Sequence, residues 1–173
     1  MLLATPARRM HVKDKFLIPL SYPYKEGDAG EICMDAQMLA EMLLQLRSGE
    51  EQDNCPEKAC ILGSNAAGEI VRFHVDTEGI GGRTSYLPNT AGLEQVIRMW
   101  KIEYAVAFAG LIHTHPHKNA LALSPKDLLF TKALLALNPG LQRIVMGILA
   151  GGELALYCFD RDFLRIYDRN KEG

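Results

Sequence analysis

Two periods of apolar residues divide this sequence. Met34, Met38, Leu39, Met42, Leu43 and Leu46 recur at the three- and four-residue steps that line one face of a helix. Asp35 stands near the start and Gly49 near the stop, so "MDAQMLAEMLLQLRSG" is predicted helical. Its methionines are assigned to core packing, the commoner use of such a stripe. Leu93, Val96, Ile97 and Trp100 repeat the helical step in "TAGLEQVIRMWKIEY". A third helix is predicted over "SPKDLLFTKALLALNPG", stopped by Asn138, Pro139 and Gly140.

Between the helices the pattern changes to that of strands. "KFLIPLSY", Lys15 to Tyr22, is a short apolar run broken by Pro19, which suits an edge or leading strand. "KACILGS" and the alternating "GEIVRFHVD" form a predicted hairpin, with Asn65 to Gly68 as its turn. "AVAFAGLIHTH" is a continuous run of small and branched residues, the composition of a strand buried on both faces. "RIVMGILAGGELALYCFD" is a second hairpin, turned at Gly151 and Gly152, and the charged tail after Asp160 is expected to fray. "GIGGRTSYLPN" has neither period and is a loop or an irregular edge segment near a ligand. Strand-like and helical segments thus alternate along most of the sequence.

Composition narrows the class. A chain of 173 residues with 48% hydrophobic content can bury one core, and no repeat or linker divides it, so residues 1–173 are expected to form a single domain. The net charge is −2, and Lys and Arg are scattered, without the basic stripe that tracks phosphates, so nucleic acid is not an expected partner. No apolar run approaches the roughly 20 residues that span a bilayer, and "MLLATPARRMHVKDK" lacks the order of segments of a signal peptide. A cytoplasmic protein without membrane contact is therefore expected. Cys33, Cys55, Cys60 and Cys158 show no paired spacing and are expected to be reduced thiols.

The chemistry concentrates in "GLIHTHPHKNALALSPKDLLF", Gly110 to Phe130. Strand residues two apart share a face, so His113 and His115 project one way and Thr114 the other. Two imidazoles on one face are half of a zinc site, and Asp127 in the first turn of the next helix can supply a third ligand. A catalytic zinc takes three protein ligands and leaves one position for water. Ser124, Pro125 and Asp127 also make a good helix start by themselves: an N-cap serine, a proline at the first position and an acid at the third. That start does not explain two histidines at the end of a buried strand, where an unpaired imidazole is costly. His117, past the proline, is expected to be solvated or to touch substrate, and His11 and His74 have no functional assignment.

A zinc hydrolase needs a carboxylate that is not a ligand to take the proton from water. Glu57 is the candidate, because "PEKACILGS" puts it at the entrance of a short apolar strand that can lie beside the histidine strand. The competing assignment is a solvent-exposed acid ending the loop that holds Glu50, Glu51 and Asp53.

Glu57, then H-T-H-P, a short loop and S-P-K-D resemble the JAMM motif of MPN or JAB domain metalloproteases, written E, then H-x-H-P, then S-x-x-D. The resemblance extends from about Asp35 to Phe159, through P-E-x-A-C-x-L, "YLPN" and the strand running into "GLIHTHP". It implies an α/β (α+β) fold, a mixed central sheet flanked by helices akin to the cytidine-deaminase architecture, and one zinc per chain held by His113, His115 and Asp127. It also implies that Glu57 is general base and then acid, and that Ser124 stabilises the tetrahedral oxyanion. The implied reaction is hydrolysis of an isopeptide or peptide bond after the C-terminal tail of a ubiquitin-like or sulfur-carrier protein, by zinc-activated water. Gly79 to Tyr86 would form the lip of the groove for that tail. Two departures stand out: the loop from Pro116 to Leu123 has eight residues, one more than usual, and Cys60 stands where the family often has glycine.

Other classes explain less. A silent MPN scaffold usually has eroded ligands, and all three are present here. A RadC-like relative with a DNA-linked role would suit a basic patch, and a zinc deaminase needs H-x-E with P-C-x-x-C; neither feature occurs. A structural protein with incidental histidines leaves the H-T-H-P to S-P-K-D arrangement unexplained.

Overall fold

The computed structural model describes residues 15–19, 31–47, 56–82, 85–116 and 121–161, the first segment and residue 31 by their backbone alone. In chain order the elements are β1 (Lys15–Pro19), β2 (Glu31–Asp35), α1 (Ala36–Arg47), β3 (Ala59–Ser64), β4 (Ile70–Val75), β5 (Ile80–Gly81) and β6 (Tyr86–Leu87). Then come α2 (Thr90–Tyr104), β7 (Ala107–Thr114), α3 (Pro125–Leu137), β8 (Arg143–Ala150) and β9 (Glu153–Asp160). Seven strands form one sheet in the order β1-β2-β4-β3-β7-β8-β9, and β5 and β6 pair separately. Within the large sheet β2–β4 and β7–β8 are parallel and the other pairings antiparallel. The mixed sheet flanked by helices is as the resemblance implies, and the predicted leading strand β1 lies at its edge.

One strand of the large sheet was not predicted, and the short β5 and β6 fall where a loop or irregular edge segment was expected. Glu31–Asp35 carries polar residues at both ends, which hides its short alternation of buried Ile32 and Met34 around the half-buried Cys33. Met34 therefore belongs to β2 and not to the first helix. Asp35 Oδ1 accepts the Met38 N–H at 2.9 Å, so the helix starts only at Ala36. The expectation for β7 also needs correction. Ala107 is exposed, and burial is continuous only over Ile112 to Thr114, where the strand lies deep between β3 and β8.

The alternation of side chains sorts the core into two faces. Cys60, Leu62, Ile112, Val145 and Leu149 point to the side covered by α1, through Leu39, Met42 and Leu46. Ile61, Leu111, Ile144 and Met146 point to the other side, where Trp100 of α2 and Leu135 of α3 cover them. His113 has the parity of Leu111. The burial of α3 on that side, with Leu128 and Leu134 packed around Leu135, sets the helix start against the face that carries the histidine.

Candidate metal centre

The end of β7 and the start of α3 meet at one point. His113 Nε2 lies 3.0 Å from His115 Nε2 and 3.2 Å from Asp127 Oδ1, and His115 Nε2 lies 3.8 Å from Asp127 Oδ2. A tetrahedral ion with bonds of 2.0–2.1 Å spaces its ligand atoms roughly 3.3 Å apart. The three donors stand near that spacing, two nitrogens and one carboxylate, and the group can hold a metal ion. His113 is 5% exposed, and its Nδ1 is buried with no hydrogen-bond partner among the described residues. With that nitrogen turned away, Nε2 is the atom His113 offers to the cluster.

Each donor is placed by its own element. The ladder that joins β7 to β8 continues past Thr114, where the His115 N–H donates to Leu149 O at 2.9 Å. Asp127 is placed by the helix start: the Ser124 N–H donates to Asp127 Oδ2 at 2.7 Å, and the Asp127 N–H donates to Ser124 Oγ at 3.2 Å. This is a complete capping box with Pro125 at the first position. The box orients the carboxylate so that Oδ1 faces His113. Burial alone would raise the Asp127 pKa, but His113 and the Ser124 bonds outweigh it and hold the acid at about 2, below its ordinary 3.8. The loop before the cap is anchored at its exit, where the Tyr157 O–H donates to Leu121 O at 2.8 Å and Leu123 packs against the core under α3. The helix start that follows the loop thus delivers Asp127 to the histidines.

Glu57 joins the same face by register. β3 and β7 pair Ala59 with His113 and Cys60 with Ile112. Continuing that antiparallel ladder puts Lys58 opposite Thr114 and Glu57 opposite His115, and opposite residues share a face. The first step of the continuation is present: the Thr114 N–H donates to Lys58 O and the Lys58 N–H to Thr114 Oγ1, both at 2.8 Å. Glu57 is half-buried, and that burial raises its pKa above 4.5; His113 and His115 pull it back down and Asp127 pushes it up. It is therefore no solvent-exposed loop acid. It stands within the electrostatic reach of all three donors.

The irregular segment after β4 closes on Glu57 from outside. The Glu57 N–H donates to Gly82 O at 3.1 Å, and a Cβ on Gly81 would stand 2.0 Å from Glu57 O. Only glycine permits that approach. Asp76, 8% exposed, holds the same segment by accepting the Tyr86 O–H at 2.5 Å and the Asn89 N–H at 2.8 Å. Burial and the Asp76 carboxylate raise the Tyr86 pKa, so the phenol keeps its proton and remains a donor. The contacts of Gly81, Gly82 and Thr114 with the Glu57–Lys58 segment had no periodic signal; the close pair of glycines was the one hint available. Among the other candidates, His74 is exposed on β4, and His11, His117 and Cys55 lie outside the described residues. Cys33, Cys60 and Cys158 are free, and burial pushes the Cys60 thiol up to about 12, which keeps it unreactive.

No helix among the described residues is long and apolar enough to cross a membrane. No family model and no curated protein sequence matches the chain. Among solved structures the chain is similar to a protein from Desulfitobacterium hafniense determined in solution. That pair is 20% identical with a TM-score of 0.46, over 75% of this chain and 84% of the other.

Proposed function

We propose that the protein is a JAMM-type zinc metallopeptidase of MPN architecture that hydrolyses an amide bond after the extended tail of a ubiquitin-like or sulfur-carrier protein. The observation that carries this reading is the convergence of His113, His115 and Asp127 with ligand atoms within 4.8 Å of one another, beside a half-buried acid outside that set. Two imidazoles and a carboxylate suit zinc. When bound, such an ion makes a neutral-pH nucleophile of water and polarises the carbonyl under attack.

The chain's own residues supply the proton transfers and the positioning. Glu57, opposite His115, takes the proton from water and returns it to the leaving amine; its raised pKa brings it closer to the range in which a base can also act as an acid. Ser124 Oγ accepts one bond from the cap, and its O–H, which bonds the Asp127 carboxylate, can turn to donate to a developing oxyanion. The strand-like segments Ile80–Gly81 and Tyr86–Leu87, bonded to Glu57 through Gly82, offer main chain for pairing with an extended tail. Zinc content and cleavage of a ubiquitin-like fusion test the reading together. About one zinc per chain and cleavage lost on chelation are expected; a protein that binds no zinc at neutral pH would sink it.

A further inference from the structure

We propose that the hydroxyl of Thr114 positions Glu57, fixing the main chain that carries the acid where the sheet itself no longer does. The proposal rests on Glu57 being the base. The regular pairing of β3 with β7 ends at Ala59, so Glu57 and Lys58 lie beyond the last ladder pair. Hydrogen bonds from two other segments hold them there. The Thr114 N–H donates to Lys58 O, its Oγ1 accepts the Lys58 N–H, and the Glu57 N–H donates to Gly82 O.

Threonine suits this place for three reasons. Its β-branched side chain is stiff at χ1, so a buried Oγ1 keeps one direction. Thr114 is 6% exposed, and a hydroxyl buried to that degree needs a partner, which the Lys58 N–H provides. Its parity directs the side chain away from the face of His113 and His115, so the hydroxyl acts on Glu57 through the main chain and not through the donor cluster. A shift of about 1 Å at a reacting group can cost roughly a hundredfold in rate. The residue between the two histidines is thus a positioning residue for the acid across the strand.

Thr114→Val and Thr114→Ser, with Glu57→Gln as background, test this. In the metal-free protein Thr114→Val should speed amide exchange at Lys58 by roughly tenfold, the worth of one hydrogen bond, and Thr114→Ser should leave it near wild type. In the zinc-loaded protein Thr114→Val should lower kcat roughly ten- to a hundredfold with KM and zinc content unchanged, and serine should restore most of the rate. On the Glu57→Gln background the same valine should have no further effect, since the hydroxyl acts only through that acid. Wild-type kcat in Thr114→Val, or an equal loss on the Glu57→Gln background, would overturn the proposal, as would unchanged exchange at Lys58. A wild-type protein with no amide cleavage would instead refute the function proposed above, and the exchange experiment would still decide whether Thr114 holds this segment.

Discussion

Asp127 sits in a helix start that its own neighbours assemble, with Ser124 bonding it twice and Pro125 fixing the first turn. Glu57 sits at a strand entrance held from elsewhere, by Thr114 of β7 and Gly82 after β5. The environments drive the two acids apart. Asp127 is held at about 2 by His113 and the cap, while burial raises Glu57 above its ordinary value. Pairs of carboxylates separated in this way divide their labour: the more acidic one is suited to hold a cation, and the more basic one to move a proton.

The sharpest way to break this comparison is to neutralise each acid in turn. Asp127→Asn should abolish tight zinc binding and activity together, whereas Glu57→Gln should keep about one zinc per chain and lose roughly 10²–10⁴-fold in kcat. Zinc lost equally from both variants, by elemental analysis, would erase the distinction. The next largest effect concerns how Glu57 is held. Gly81→Ala must push the β5–β6 segment off the Glu57 carbonyl, since its Cβ would meet that oxygen at 2.0 Å, and kcat should fall about tenfold with zinc retained. Full activity in that variant would mean that the segment does not set the position of the acid.

A smaller effect belongs to the local frame of Asp127. Ser124→Ala removes the N-cap acceptor and should cost about 1 kcal/mol of stability in urea denaturation of the metal-free protein, with serine-to-threonine replacement costing less. A further test is the pH dependence of that stability, where the two acids have opposite signs. Asp127, depressed from 3.8 to about 2, adds stability that is complete above pH 3.8 and is lost as the pH falls towards 2. Glu57, raised above 4.5, adds stability that is complete below pH 4.5 and is lost as the pH rises through its folded value. Asp127→Asn should flatten the first slope and Glu57→Gln the second; parallel curves for all three proteins would contradict the opposed environments.

Much of the donor set was legible beforehand because its signals are local. H-T-H needs only the two-residue repeat of a strand to put both rings on one face, and S-P-K-D needs only its own four residues to start a helix and aim an acid backwards. The β2 strand was illegible for the converse reason. Its two buried residues, Ile32 and Met34, are flanked by Glu31 and Asp35, and its single register pair with β4, Met34 with Ile70, comes from a segment distant in the chain. Glu57 fell between these cases. Its place before an apolar strand could be read, but how it is held could not, since the groups that fix its main chain are Thr114 and the Gly81–Gly82 pair.

The sequence by itself determined the periods of its helices and strands, the shared face of His113 and His115, and the cap that orients Asp127, because each depends on geometry repeated within a few residues. Only the tertiary structure decided that α3 would bring that cap to the end of β7, within 3.2 Å of His113, and that the register of β3 would carry Glu57 to the same face. The reason is physical. A cap or a strand alternation is closed by neighbouring bonds, whereas a register is chosen by the burial of whole faces, here the opposed sets of residues under α1 and under α2 and α3.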